Sequence, residues 1–195
     1  MGLYLAFVAS NNTNSLLTTY SGNGKDWQDS NPLGSESSKR PPAISFAGSG
    51  PHGFTLGFVA NDASNQLLVS HSDDGQSWNP NTSVQNQSSK AAPALAVFKN
   101  KLWIAFVAND AGNQLLVSQS GDGVSWKPSK KVQNQFSKAA PALAVFDSKL
   151  WIAFVANDAT NQLLVSRSAD GVTWNGNKPV TDQSSKATPA FLGRG

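Results

Sequence analysis

A unit of 48 residues recurs along this chain, and that repetition restricts the fold more than any other feature. Phe7, Phe58, Phe106 and Phe154 hold one position of the unit. Trp27, Trp78, Trp126 and Trp174 hold a second, and Lys39, Lys90, Lys138 and Lys186 a third. Each series is spaced by 51, 48 and 48 residues, the extra residues falling in AGSGPHGF between Lys39 and Phe58. The last three copies are nearly identical around FVANDASNQLLVS, while the first has drifted to FVASNNTNSLLTT.

Within a unit, APALAVF, LWIAFVA and QLLVSQS read as three short strands, and a fourth runs from SW towards KKV. Turn signals separate them: KN or DS, then NDAGN, then SGDG, then VQNQ. No segment carries an apolar stripe at helical spacing, so the chain reads as all-β. Four strands per unit at this period describe one blade of a β-propeller. Pro42, Pro93, Pro141 and Pro189 recur in the first strand, and Pro80 and Pro128 near the fourth. Proline cannot donate to a ladder, so both strands should be blade edges.

The expectation is a single four-bladed β-propeller domain over 1–195. Its units are 187–195 with 1–39, then 40–90, 91–138 and 139–186. Joining Gly195 to Met1 restores the period, so ATPAFL at 187–192 is expected to pair with LYLAFVA and latch the ring.

Composition excludes several functions. The chain has 195 residues with 15 Lys and Arg against 12 acidic residues, scattered rather than massed, which argues against nucleic acid. It has no cysteine, and no apolar run approaches the length of a membrane span. The sequence calls for no cofactor or metal. The N-terminus lacks a basic leader, which suggests cytoplasmic or non-classical secreted placement.

The sharpest motif is S-x-D-G-x-[S/T]-W at 72–78, 120–126 and 168–174, with a decayed copy, SGNGKDW, at 21–27. It resembles the Asp-box of sialidase-type propellers, shortened by one residue. The chemistry is that of a tight hairpin: Asp74, Asp122 and Asp170 cap turn amides, glycine takes positive φ, and tryptophan pins the turn.

A glycosidase needs paired carboxylates, commonly including a glutamate acid, and the chain has one glutamate, Glu36. Arg40, Arg167 and Arg194 occupy unrelated positions of the repeat, and Tyr4 and Tyr20 are the only tyrosines. His52 and His71 form neither a triad nor a metal cluster. On this reading the chain is not an enzyme.

Other repeated residues have no evident folding task. The second-to-third loops supply Asn61, Asp62 and Asn65, then Asn109, Asp110 and Asn113, then Asn157, Asp158 and Asn161. The links between units supply Gln87 and Lys90, Gln135 and Lys138, Gln183 and Lys186. In a propeller these loops and links share one face, where amides, carboxylates and ammonium groups could meet sugar hydroxyls. Trp103, Trp151 and Tyr4 share a second-strand position, with Thr55 in the odd copy, and offer rings for stacking or for packing between blades. The whole is similar to repeat-built propeller lectins of the tachylectin type. That resemblance implies multivalent carbohydrate binding, with glycans as partners, no membrane insertion and a possible homo-oligomer. The alternative is a protein-interaction scaffold using the same face.

Overall fold

The repeat is visible as four antiparallel sheets in the computed structural model, which describes residues 2–47 and 53–194. His52, the rest of 48–52 and both terminal residues, whose joining would restore the period, lie outside those residues. The first sheet contains β1 (Leu3–Val8), β2 (Ser15–Ser21) and β3 (Asn31–Ser37). The second contains β4 (Ala43–Phe46), β5 (Phe54–Val59), β6 (Gln66–Ser72) and β7 (Thr82–Ser88). The third contains β8 (Ala94–Phe98), β9 (Lys101–Val107), β10 (Gln114–Ser120) and β11 (Lys130–Phe136). The fourth contains β12 (Ala142–Phe146), β13 (Lys149–Val155), β14 (Gln162–Ser168) and β15 (Lys178–Ser184). Every sheet is a simple meander, and no helix occurs among the described residues.

Neighbouring sheets pack face to face, and three hydrophobic clusters fill the three junctions. Leu16 and Leu33 of the first sheet meet Leu56, Phe58 and Leu68 of the second. Leu67, Val69 and Val84 of the second meet Ile104, Phe106 and Trp126 of the third. Leu115, Val117 and Val132 of the third meet Ile152, Phe154 and Trp174 of the fourth. Each internal sheet is therefore apolar on both faces, which explains why β5 is buried at all six positions instead of alternating.

A latch accompanies each junction. The bridges Ser38 to Ala60, Ser89 to Ala108 and Ser137 to Ala156 tie the link leaving one sheet to the second strand of the next. The side chain of Gln85 donates to the Trp126 carbonyl at 2.7 Å, and Gln133 donates to that of Trp174 at 2.6 Å.

Two expectations need correction. VQNQ was expected to be a turn between units, yet it lies inside the last strand. Gln85, Asn86 and Gln133 take left-handed φ there, and the ladder slips in register around them. The same bulge recurs at Gly34 and Thr181 in the first and fourth sheets, and in the second and third it aims the glutamine amide at the next sheet. The expected pairing of 187–192 with β1 is also not formed. Residues 187–194 are in no strand, and an ideal Cβ on Gly193 would lie 2.0 Å from the Val145 carbonyl oxygen, so this segment runs against β12. The first sheet accordingly has three strands rather than four.

Candidate functional site

The loops 61–66, 109–114 and 157–162 and the links between sheets meet on one face, as their polar repeats suggested. Local chemistry fixes their shape. Asn14, Asn65, Asn113 and Asn161 each adopt left-handed φ at the end of the loop, a conformation asparagine tolerates better than most residues. The residue three positions earlier, Asn11 in the first loop and aspartate in the others, closes the turn. The Asp110 carboxylate accepts from the Asn113 amide at 2.7 Å, and that of Asp158 from the Thr160 and Asn161 amides at 2.9 and 3.1 Å. Asp62 accepts from the Ser64 hydroxyl at 2.9 Å.

Asn61, Asn109 and Asn157 do a different job. Their side-chain amides donate across the junction to the carbonyls of Thr13, Ser64 and Gly112. Lysines complete the pattern. Lys39 donates to the Asn65 side chain at 3.0 Å, Lys90 to Asn113 at 2.7 Å and Lys138 to Asn161 at 2.8 Å. Lys39 and Lys138 also reach the carbonyls of Asp62 and Asp158. Three junctions thus present the same exposed ammonium and amide pair, held also by a backbone carbonyl at Lys39 and Lys138. Lys186 is exposed. Gln87 and Gln183 fold back onto their own strands, donating to the carbonyls of Gln85 and Thr181, while Gln135 accepts from Asn177 at 3.2 Å.

The aromatic row behaves differently. Trp103 is 3% exposed, and its ring lies over Gly171 of the next sheet's hairpin, 2.2 Å from where a Cβ would stand. The Tyr4 ring covers Gly75 in the same way at 2.3 Å. Thr55 takes the place of the ring against Gly123, accompanied by its cross-strand partner His71. Trp151 keeps a partly open face, with the Arg167 guanidinium 5.4 Å from the ring centroid. Tyr4 and Trp103 plug glycine hairpins between sheets. The signal was legible as a hairpin glycine held at one repeat position in the unit after each aromatic.

On the opposite face, the hairpins show why the motif repeats. The Asp122 carboxylate accepts from the Val124 and Ser125 amides at 2.8 and 2.7 Å, and Ser120 accepts from the Gly123 amide at 2.8 Å. Amide bonds from Ser77 and then Gln76 hold Asp74 down to about 2. The Ser125 and Thr173 amides are the main causes that lower Asp122 and Asp170 below the usual carboxylate range. A cavity of about 410 Å³ beside Asp73 and Asp74 also includes Tyr4, Phe46 and Phe54. Asp74 would enter any chemistry there already ionised. No group of three or more His, Cys, Asp or Glu side chains suited to a metal occurs among the described residues.

A folded-state pKa below the unfolded value stabilises the fold above the unfolded pKa, and that stabilisation disappears as pH falls through the folded one. The melting temperature should therefore be level from pH 7 to about 5 and drop between about pH 4 and 2. Asn23 shows how to test the cause, since its side-chain oxygen accepts from the Lys25 and Asp26 amides at 2.9 Å without charge. Combining Asp74→Asn, Asp122→Asn and Asp170→Asn should keep the hairpins and flatten the acid limb of a calorimetric pH series. An unchanged acid limb would place the sensitive groups elsewhere.

No family model matches the sequence, and no curated protein matches it. Solved structures do. The BP39L lectin of Burkholderia pseudomallei superposes with TM-score 0.73 at 18% identity, covering 91% of this chain and 53% of that one. An α-L-arabinanase of Penicillium chrysogenum gives 0.67 at 12%, covering 91% and 63%. An α-L-arabinofuranosidase of Fusarium graminearum gives 0.64 at 12%, covering 85% and 58%. This chain spans between half and two thirds of the length of each, and what they share with it is the propeller fold. The expectation that the chain is not an enzyme is corrected by this comparison. Galactanases also match, so most of these neighbours are glycoside hydrolases on the same fold. The single glutamate and the scattered arginines argued against catalysis, but an active site needs only a few side chains grafted on a scaffold.

Proposed function

We propose that this chain is a carbohydrate-binding protein whose sites lie on the loop face, one at each sheet junction. The observation that supports this most directly is the threefold recurrence of one rigid pair: Lys39 with Asn65, Lys90 with Asn113, and Lys138 with Asn161. Each pair leaves lysine protons and an amide NH₂ facing solvent beside an aspartate loop. Sugar hydroxyls accept and donate at once, so adjacent fixed donors and acceptors suit them. Backbone anchoring reduces the ordering cost of binding. Weak equivalent sites on one face would gain by avidity on a glycan-covered surface. The lectin neighbour supports a propeller lectin.

The test is a glycan array followed by a combined Lys39→Ala, Lys90→Ala and Lys138→Ala variant. The parent chain should bind immobilised glycans, and the variant should lose about tenfold or more in avidity. Its melting temperature should change by only a few degrees, because all three lysines are at the surface. No glycan signal from the parent would overturn the carbohydrate reading. Undiminished binding by the folded variant would move the site off this face.

Glycan hydrolysis is the second reading, favoured by the hydrolase neighbours and by the cavity beside Asp73 and Asp74. Release of sugar from arabino- or galacto-oligosaccharides would establish it.

A further inference from the structure

The two ends of the stack of sheets are unfinished in complementary ways. At each internal junction, Leu102, Ile104, Phe106 and Trp126, or their equivalents one unit on, receive the neighbouring sheet and are buried. The first sheet carries the same surface as Leu3, Leu5, Phe7 and Trp27. There Leu3 is 56% exposed, Leu5 47% and Trp27 45%, against 6%, 0% and 4% for Leu102, Ile104 and Trp126. The fourth sheet carries the opposite surface. Leu163, Val165 and Val180 are partly exposed where Leu115, Val117 and Val132 are buried. Trp151 is likewise partly open where Trp103 covers a glycine hairpin.

The strand inventory matches. β1 has no inner partner, and a cavity of about 330 Å³ runs beside Ala6, Phe7 and Val8 towards Lys39 and Pro42. Residues 187–192 repeat the inner-strand sequence of β8 and β12, form no ladder, and leave Leu192 89% exposed. Three Ser-to-Ala latches are formed, whereas Ser185 and Ala9, the equivalent fourth pair among the described residues, make no such bridge.

We propose that a second copy of this chain docks head to tail on these ends, the fourth sheet of one copy seated on the first sheet of the next. Residues 187–192 of one copy then enter as the inner strand beside β1 of the other. The internal ladders set the register. Ala94 faces Ala105 and Leu95 faces Ile104, so Ala190 should face Ala6 and Phe191 should face Leu5. Trp151 would cover Gly24 of the second copy, as Trp103 covers Gly171.

A second copy fits better than closure within one chain because the fourth sheet does not cover the first: Leu3, Leu5 and Trp27 stay exposed at one end while Leu163, Val165 and Val180 stay partly open at the other. The contact is heterologous, and it closes or extends according to the rotation between copies.

The chain has no cysteine, which makes the test clean. One preparation carries Ala6→Cys and another Ala190→Cys, and the two are mixed under mild oxidation. Directly opposed strand residues lie within disulfide reach. A mixed disulfide well in excess of either like-with-like product is expected, with a light-scattering mass of two or more chains for the unmodified protein. A single-chain mass at high concentration without the mixed disulfide would overturn the proposal. So would a double Ala6→Cys, Ala190→Cys variant that closes entirely within one chain. Because neither assay reads glycan binding, failure here leaves the carbohydrate reading standing, and the reverse.

Discussion

Replacing Phe106 by Ala should cost about 4 kcal/mol and lower the melting temperature by roughly 8–16 °C. Phe106 is fully buried in the junction of the second and third sheets, against Leu67, Val69 and Val84. Removing the ring forfeits its transfer free energy and leaves a cavity between two sheets whose backbones are ladder-bonded and cannot collapse into it. On the scale of 5–15 kcal/mol for a domain, that is a large share of the total. Phe154 occupies the same place one junction on and should respond alike. Phe7 provides the internal control. It holds the same position in the unit but is only partly buried, so Phe7→Ala should cost less in the single chain. Thermal denaturation of the three variants tests the ordering, and equal losses would contradict the assignment of Phe7 to an uncovered surface.

That comparison also separates what sequence could reveal from what it could not. The first three strands of each unit and the sheet order were legible because Phe58, Phe106 and Phe154 recur in one phase with their flanking turns. The hairpins were legible because Ser, Asp and Gly at fixed spacing form a turn by local chemistry alone. Neighbourhood was harder. Gln85 and Gln133 looked like turn residues, and only the adjacent sheet explains their side chains, since each reaches a tryptophan carbonyl 41 positions away. Ring closure rested on counting residues, and counting cannot measure curvature. The loop-face aspartates were ambiguous for a physical reason: Asp110 and Asp158 close their own turns, so one side chain serves the fold whether or not a ligand comes.

The same neighbour dependence gives the second large effect. Gly171→Ala should destabilise the chain by about 3 kcal/mol, whereas Gly123→Ala should cost about 1.5 kcal/mol. Both glycines sit at the third residue after the hairpin serine with φ of +80° and +76°, so both substitutions incur left-handed strain. They differ in what the new methyl meets. At Gly171 it would stand 2.2 Å from the Trp103 ring, which is buried and cannot swing away. At Gly123 the nearest atoms are His71 Nδ1 at 3.3 Å and the Thr55 hydroxyl at 3.4 Å, a tight fit rather than a collision. A double-mutant cycle with Trp103→Ala isolates the collision. The excess cost at Gly171 should vanish when the ring is removed, leaving the backbone strain common to both hairpins. If Gly171→Ala and Gly123→Ala melt together, the aromatic row does not seal the junctions. Trp103 would then return to the group of rings free to meet a ligand.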